Sequence, residues 1–218
     1  MTTRAVARVP VDWQVEVTQG AHANQVLQQV RAQPHVQTAL PVSFMRTPHL
    51  TATTNGSTQT TGQARVLGLP TGYARAFPGE LRVLSGSLKG PLLFQQTAAN
   101  LRARPGDVVS VARPGNRPAK VRVAGIVDLP AEDSLFQQVG APVGAQPQAP
   151  PDNVLILPQR DFGRIAHGVP STQQIHVGLS HNLSGSPSAA FSDVSGAARN
   201  LETKLAGAGL VGNNVGVA

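Results

Sequence analysis

The stretch DVVSVARPGNRPAKVRVAGIV, residues 107–127, decides the fold because it has the pattern of a complete β-hairpin. Valines alternate with polar residues over 107–112, which is the two-residue period of a half-buried strand. Pro114–Gly115–Asn116 is predicted to form the turn, since these three residue types favour turn conformations. The alternation resumes over 120–127 and predicts the return strand.

A strand–helix–strand unit is predicted at the start of the chain. Trp13–Val17 alternates apolar and polar residues, as a half-buried strand does. A short helix is predicted from about Asn24 to Pro34, which ends it. A second strand is predicted over Val36–Phe44, and Pro41 indicates an edge or a bulge because proline donates no ladder hydrogen bond.

The segment between this unit and the hairpin contains shorter elements. Residues 47–63 are rich in Thr, Gly and Ser, which favours a long hairpin or a mobile loop. Short strands are predicted over 65–69 and 81–84. A helix over 94–102 is predicted to stop before Pro105, because the residue preceding a proline is disfavoured in helical geometry.

After the hairpin, residues 139–152 are dominated by Gly, Ala, Pro and Gln, which predicts a flexible loop or linker. A short strand over 154–157, a helical turn over 161–166 and a strand over 175–179 follow. The last segment with helical periodicity starts near Val194, and a short strand is predicted over 211–217.

The last helix has the clearest periodicity, because its apolar residues recur at helical spacing on one face. These residues are Val194, Ala198, Leu201 and Leu205. Asp193 is predicted as its N-cap, and Gly207 or Gly209 as its C-cap.

Together these elements predict an α+β fold. Strand–helix units open and close the chain, and two such half-units commonly pair into one sheet. We therefore expect a split outer subdomain of residues 1–46 and 153–218. The strand-rich interruption predicts an inserted subdomain of residues 47–152, built around the hairpin.

Composition excludes several classes of protein. The 218 residues contain no cysteine, so disulfides and thiolate metal sites are excluded. No apolar window of about 18 residues occurs, and residues 1–8 do not resemble a signal peptide. If the natural protein is exported or membrane-bound, we expect this sequence to be a segment cut from it, with Met1 as an added start.

The net charge of +7 raises nucleic acid as a partner, but the pattern argues against it. Arginines are spread along the chain without a run of three basic residues, and one Trp, one Tyr and six Phe offer few stacking platforms. We predict no nucleic-acid partner.

No motif in the sequence predicts catalysis or a cofactor. GAGLVG, residues 207–212, matches a dinucleotide fingerprint, but a helix precedes it where the fingerprint needs a strand. We interpret it as a glycine C-cap and turn. G-x-S-x-G and S-x-x-K are absent, Ser85–Gly86–Ser87 is interpreted as a turn, and the glycosylation sequons at Asn55 and Asn182 lie in polar loops.

The histidines and carboxylates form no recognisable site. His176 alternates with Ile175 and Val177, so we predict that it faces away from them as a solvated strand residue. Glu132 and Asp133 are adjacent and point apart on an extended segment. The other side chains considered are His22, His35, His49, His167 and His181, with Asp152, Asp161 and Asp193 at predicted turns or caps. No catalytic, cofactor or metal residue is predicted.

Three segments carry a resemblance to the periplasmic core domain of MacB/FtsX-type ABC transporter permeases. LRVLSGSLKG, residues 81–90, resembles the strand and turn that open the middle of that domain. ANLRARPGDVVSVARPGNRPAKVRVAGIVDLPAED, residues 99–133, is similar to the family's most typical run. DNVLILPQRDFGRIAHG, residues 152–168, is similar to its next block, a strand leading into a short helix.

The resemblance implies a fold and a location. In this family the domain lies between the first two transmembrane helices of a four-helix permease, on the extracytoplasmic side of the cytoplasmic membrane. It has a porter-like subdomain, here 1–46 plus 153–218, and an inserted sabre-like one, here 47–152. Both chain ends must then reach one membrane surface, so we expect them to lie close together.

The resemblance also implies a non-catalytic role that transmits ATP-driven motion outside the membrane. The implied partners are a cytoplasmic ATPase subunit, a second permease protomer and an adaptor or envelope protein. We expect a lever whose partner surface includes the loops at 51–62 and 139–151. Two alternatives stay open: a secreted hydrolase, and a basic module that binds nucleic acid or envelope polymers.

Overall fold

The computed structural model describes residues 11–18, 22–131, 135–136, 139, 150–180 and 187–215. Its helices are α1 (Ala23–Arg31), α2 (Tyr73–Ala76), α3 (Gln95–Leu101), α4 (Gln159–Ala166) and α5 (Pro187–Lys204). Its strands are β1 (Trp13–Val17), β2 (Val36–Thr47), β3 (Leu50–Thr54), β4 (Ser57–Thr60), β5 (Ala64–Leu69), β6 (Arg82–Gly86), β7 (Leu92–Phe94), β8 (Val108–Arg113), β9 (Asn116–Arg122), β10 (Gly125–Asp128), β11 (Val154–Pro158), β12 (Ser171–Leu179) and β13 (Leu210–Val215).

The strands form two sheets. A mixed nine-stranded sheet has the order β13-β1-β12-β2-β5-β11-β7-β10-β6, and a four-stranded sheet has the order β4-β3-β8-β9. Most neighbours in the large sheet are antiparallel, but β11 is parallel to β5 and β10 is parallel to β7. The chain therefore has a mixed α/β fold with two sheets, consistent with the predicted α+β class.

Both faces of the large sheet are covered. On one face, α1 and α5 pack over β1, β12 and β2 around Trp13 and Ile175. The four-stranded sheet covers the same face further along, together with α3 and α4, around Leu50 and Leu155. The opposite face, which we call the front face, packs against α2 and Phe77 around Val42. The front face holds both polar clusters described below.

The sequence predicted the elements around the first strands correctly. Trp13–Val17 forms β1, and the apolar side of α1 is buried as expected. β3 and β4 form the hairpin predicted within 47–63. The expectation that Pro41 marks an edge strand or a bulge was wrong, because β2 lies between β12 and β5 and its register with β12 is regular at Pro41. Proline is tolerated there because β5 pairs with β2 only from Ser43 onward.

The C-terminal predictions were also largely correct. Val194, Ala198, Leu201 and Leu205 are all buried on one side of α5. Gly207 and Gly209 follow the helix with φ values of 82° and 93°, the left-handed geometry of a glycine cap and turn. β13 then runs antiparallel to β1, with Val215 opposite Trp13. The described ends of the chain thus lie side by side, as expected.

Three further predictions need correction. Asp193 is not an N-cap, because α5 begins at Pro187 and Asp193 lies within it. Ser85 and Gly86 belong to β6 and not to a turn. The return strand of the hairpin does not continue to Val127, because β9 ends at Arg122 and the chain crosses to β10 in the large sheet. The loop predicted over 139–152 lies mostly outside the described residues.

The bounds of the predicted insertion, 47–152, remain a prediction. Residues 50–60 and 108–122 form the four-stranded sheet. β5, β6, β7 and β10 also fall within 47–152, yet they pair in the large sheet with one another and with β2 and β11. Strand pairing therefore supports a separate body smaller than the predicted insertion.

Candidate functional site

The structure places most of the histidines considered from sequence on the surface. His22 precedes α1, His35 is in a turn with φ 69°, and His49 and His167 are exposed near strand and helix ends. His181, Glu132, Asp133 and Asn182 lie outside the described residues. Among the described residues, no group of three or more metal-ligating side chains comes together.

His176 is the exception, and the prediction that it is solvated was wrong. It faces away from Ile175 and Val177 as expected, but its exposed fraction is 0%. The reason is that α2 and Phe77 cover the front face at this point, with the ring of Phe77 6.4 Å and that of Tyr73 5.8 Å from the imidazole.

The His176 imidazole uses both of its nitrogens. Nδ1 lies 2.8 Å from the Tyr73 hydroxyl, and Nε2 lies 3.3 Å from Oε1 of Gln174. An amide oxygen only accepts, so in this arrangement Nε2 carries the proton and Nδ1 accepts from Tyr73. Burial lowers the pKa of His176 to about 3, and the ring is therefore neutral at physiological pH.

Glu80 lies in the same enclosed region, and its carboxyl group is buried. Its exposed fraction is 0%, and among the described contacts neither carboxyl oxygen has a hydrogen-bond partner. Burial raises the pKa of Glu80 to about 8, so its neutral form predominates at pH 7. Burial, and then Glu80, raise the pKa of Tyr73. We call Tyr73, Glu80, Gln174 and His176 the buried cluster.

Two arginines form a second polar group on the front face. Arg46 of β2 lies directly opposite Arg65 of β5 in the strand register. Side chains in such a pair point to the same face with Cβ atoms about 4.5–5.5 Å apart. Among the described residues neither guanidinium forms an ion pair. We call Arg46 and Arg65 the arginine pair.

The arginine pair lines a cavity of about 590 Å³. Its other lining residues include Phe44 and Thr172 from the large sheet, Phe136, and Val169 from the loop before β12. Glu16 is the acidic residue among its described lining residues. Burial lowers the pKa of Arg65, and the positive charge of Arg46 lowers it further. The cavity therefore combines the two arginines with apolar and polar lining residues and one carboxylate.

Sequence reasoning missed the arginine pair and the role of Tyr73 and Glu80. The alternation of Val42 and Phe44 continues to Arg46, so extending the predicted strand by two residues would have placed an arginine on an apolar face. Glu80 gives no such signal, because its burial depends on packing against distant residues.

Exposed apolar residues gather at one edge of the large sheet. β6 is the last strand in the order, and Val83 and Leu84 on it are 42% and 48% exposed. Leu88, just after the strand, is 41% exposed. An open strand edge can accept an added strand from a partner.

The two aspartates predicted at turns or caps outside α5 lie away from both polar clusters. Asp161 lies in the first turn of α4, where it forms an ion pair with Arg164. Asp152 is exposed in the segment before β11. Neither lies among the residues that line the cavity or in the buried cluster.

No helix among the described residues is long and apolar enough to cross a membrane. No protein-family model matches the sequence, and no curated protein is significantly similar to it.

Solved structures do match the fold. The periplasmic region of MacB from Actinobacillus actinomycetemcomitans superimposes with a TM-score of 0.53 at 12% identity, covering 94% of this chain and 90% of that one. The extracellular domain of the noncanonic ABC-type transporter YknZ from Gram-positive bacteria has a TM-score of 0.49 at 13% identity, covering 94% and 98%. The chain therefore has the fold of the periplasmic region of MacB over nearly its whole length.

Proposed function

We propose that this chain is the extracytoplasmic domain of an ABC transporter permease and transmits ATP-driven motion to substrate or partner proteins outside the cytoplasmic membrane. The observation that carries the proposal is the fold likeness to the MacB periplasmic region, which spans 94% of this chain and 90% of that one. The segment resemblance over residues 81–90, 99–133 and 152–168 points the same way.

The position of the chain ends supports this placement. β1 and β13 are neighbouring antiparallel strands, and Trp13 lies opposite Val215. A domain inserted between two membrane helices must return its chain to the surface it left. Adjacent terminal strands meet that requirement.

The junction between the sheets supports a mechanical role. Thr47 at the end of β2 donates from Oγ1 to the carbonyl of Ala112 over 2.6 Å, and Arg113 donates from Nη2 to the carbonyl of His167 over 2.7 Å. Leu50 and Val111 belong to the same hydrophobic cluster as Leu155 of the large sheet. We infer that the four-stranded sheet moves with the large sheet as one lever. The proposed division is a porter-like subdomain of residues 1–46 plus 153–218 and an inserted sabre-like subdomain of residues 47–152.

The proposed role is non-catalytic, with ATP hydrolysis in a separate cytoplasmic subunit. The buried cluster supports this, because its ionisable groups Glu80 and His176 are fully enclosed and held neutral. The proposed partners are that ATPase, a second permease protomer, and an adaptor or envelope protein. The hairpin β3–β4 is the proposed partner-facing element, since Thr53 and Thr58 at its tip are exposed.

The test uses the full-length transporter. The 218 residues contain no cysteine, so T53C or T58C introduces a unique thiol into this domain. Cross-linking the two protomers through these thiols with bis-maleimides of graded length is expected to reduce transport at least tenfold. The matched control is the same variant treated with a mono-maleimide. Normal transport with complete cross-linking would show that relative motion of these domains is not the mechanism.

A further inference from the structure

We propose that the cavity at the arginine pair is a binding site for an organic anion: a phosphate or carboxylate group held by Arg46 and Arg65 and an apolar body lying along Phe44 and Phe136. This inference is independent of the transport role proposed above.

The first argument is electrostatic. Like charges directly opposite each other on neighbouring strands are destabilising. Arg46 and Arg65 occupy such a position, and among the described residues neither forms an ion pair, with Glu16 in the same cavity. Arg65 is half-buried, so solvent screens its charge less than that of a surface arginine. An anion bound between the two guanidinium groups would remove the repulsion.

The second argument is geometric. Guanidinium groups present planar, paired donors that match the oxygens of phosphates and carboxylates. Thr172 adds a hydroxyl to the same cavity. The cavity volume of about 590 Å³ lies within the range of ligand sites, which is roughly 300–1,000 Å³.

The third argument concerns the apolar part of the ligand. Phe44 and Phe136 line the cavity beside the arginine pair, and both take part in the hydrophobic packing of the front face. Inorganic phosphate would leave these walls without a partner, whereas an alkyl or aryl group would remove them from water. Glu16 lines the cavity as well, and its negative charge makes a cationic amphiphile the proper comparison ligand.

The test is calorimetric titration of the isolated domain with n-octyl phosphate below its micelle concentration. Inorganic phosphate and octyltrimethylammonium serve as comparison ligands. We expect octyl phosphate to bind at least tenfold more tightly than either. R46Q and R65Q should each weaken its binding about tenfold, because each removes a charged hydrogen-bonding partner. R104Q, a substitution of an exposed arginine outside the cavity, should leave binding unchanged.

If R65Q does not fold, R65K replaces it, because lysine keeps the positive charge at this position. R65K should still weaken binding, since lysine lacks the paired donors of a guanidinium group. Equal affinity for the cation would overturn the proposal, as would equal affinity for inorganic phosphate. Unchanged octyl phosphate binding in R46Q and R65Q, or no binding at all, would also overturn it.

Discussion

The buried cluster and the arginine pair occupy the same face of the nine-stranded sheet and differ in their access to water. His176 lies opposite Leu40 on β12 and β2, and the alternation along β2 carries the same face through Phe44 to Arg46. At one end, α2 and Phe77 enclose the polar groups. At the other end, the arginines border an open cavity.

The difference shows that burial under other residues decides whether an ionisable side chain is charged. Enclosure makes ionisation unfavourable, so His176 and Glu80 are neutral at pH 7. The arginines stay charged at physiological pH, since guanidinium groups are protonated in proteins. The enclosed His176 contributes to stability through ring packing and hydrogen bonds, whereas charges that border a cavity without an ion pair are available to a ligand.

The largest expected effect comes from removing the centre of the buried cluster. H176A deletes a ring packed among Tyr73, Phe77 and Phe44 and leaves the Tyr73 hydroxyl without its partner. We expect the free energy of unfolding to fall by about 2–4 kcal/mol, as for other large-to-small changes in a core. Urea denaturation measures this. H49A, at an exposed position, should change stability by less than about 0.5 kcal/mol. Equal losses in the two variants would contradict the enclosed environment of His176.

Glu80 should make the protein less stable as pH rises. Its pKa is about 8 when folded against 4.5 for an ordinary glutamic acid, so the folded state binds more protons between these values. Stability is then fully present below about pH 4.5 and is lost as pH rises through 8. E80Q removes the titrating group, so we expect it to be more stable than the parent at pH 9 and to differ little from it below pH 4.5.

His176 acts in the opposite direction at lower pH. Its folded pKa of about 3 lies below the ordinary 6.5, so its contribution is present above pH 6.5 and is lost as pH falls toward 3. The two groups together predict greatest stability between about pH 4.5 and 6.5, where the gain from His176 and the loss from Glu80 cancel. Thermal unfolding of the parent, E80Q and the exposed control D152N across pH 4–9 separates them. A parent and E80Q with parallel pH profiles would contradict the buried carboxyl.

These contrasts explain what the sequence could predict. Alternation along a strand identifies the face to which each side chain points, and it placed His176 correctly opposite to Ile175 and Val177. Alternation does not identify what covers that face. The covering residues Tyr73 and Phe77 are about 100 positions away in the chain, so the burial of His176 depends on a long-range contact with no local signal.

The same limit applies to the sheet order. Local signals predicted β1, the β8–β9 hairpin and the helical face of α5, because each rests on neighbouring residues. β11 lies between β5 and β7 in the large sheet. It pairs in parallel with β5, which is nearly 90 residues earlier in the chain, and no turn motif specifies such a pairing. The cavity at Arg46 and Arg65 likewise joins β2, β5 and the start of β12, three segments far apart in the chain, and was therefore missed.

Gln174 offers a way to test whether the two clusters are coupled. Its amide accepts from Nε2 of His176 over 3.3 Å, and it also lines the cavity of the arginine pair. Q174L leaves the imidazole N–H unpaired, so we expect a loss of about 1 kcal/mol in the free energy of unfolding. Octyl phosphate affinity should fall by less than the tenfold expected for R46Q and R65Q, because Gln174 lines the cavity but carries no charge. A tenfold loss of affinity would show that the clusters act as one site.

The smallest expected effect has the opposite sign. R46Q removes one of two like charges that face each other across β2 and β5, so we expect the ligand-free protein to gain a few tenths to about 1 kcal/mol in stability at low salt. The gain should vanish near 1 M salt, where the screening length is about 3 Å. R104Q is the matched control, since it removes an exposed arginine outside the cavity. Equilibrium urea unfolding at two salt concentrations measures both variants. If R46Q is less stable than the parent at low salt, Arg46 has a stabilising partner, and the repulsion that motivates the anion site does not exist.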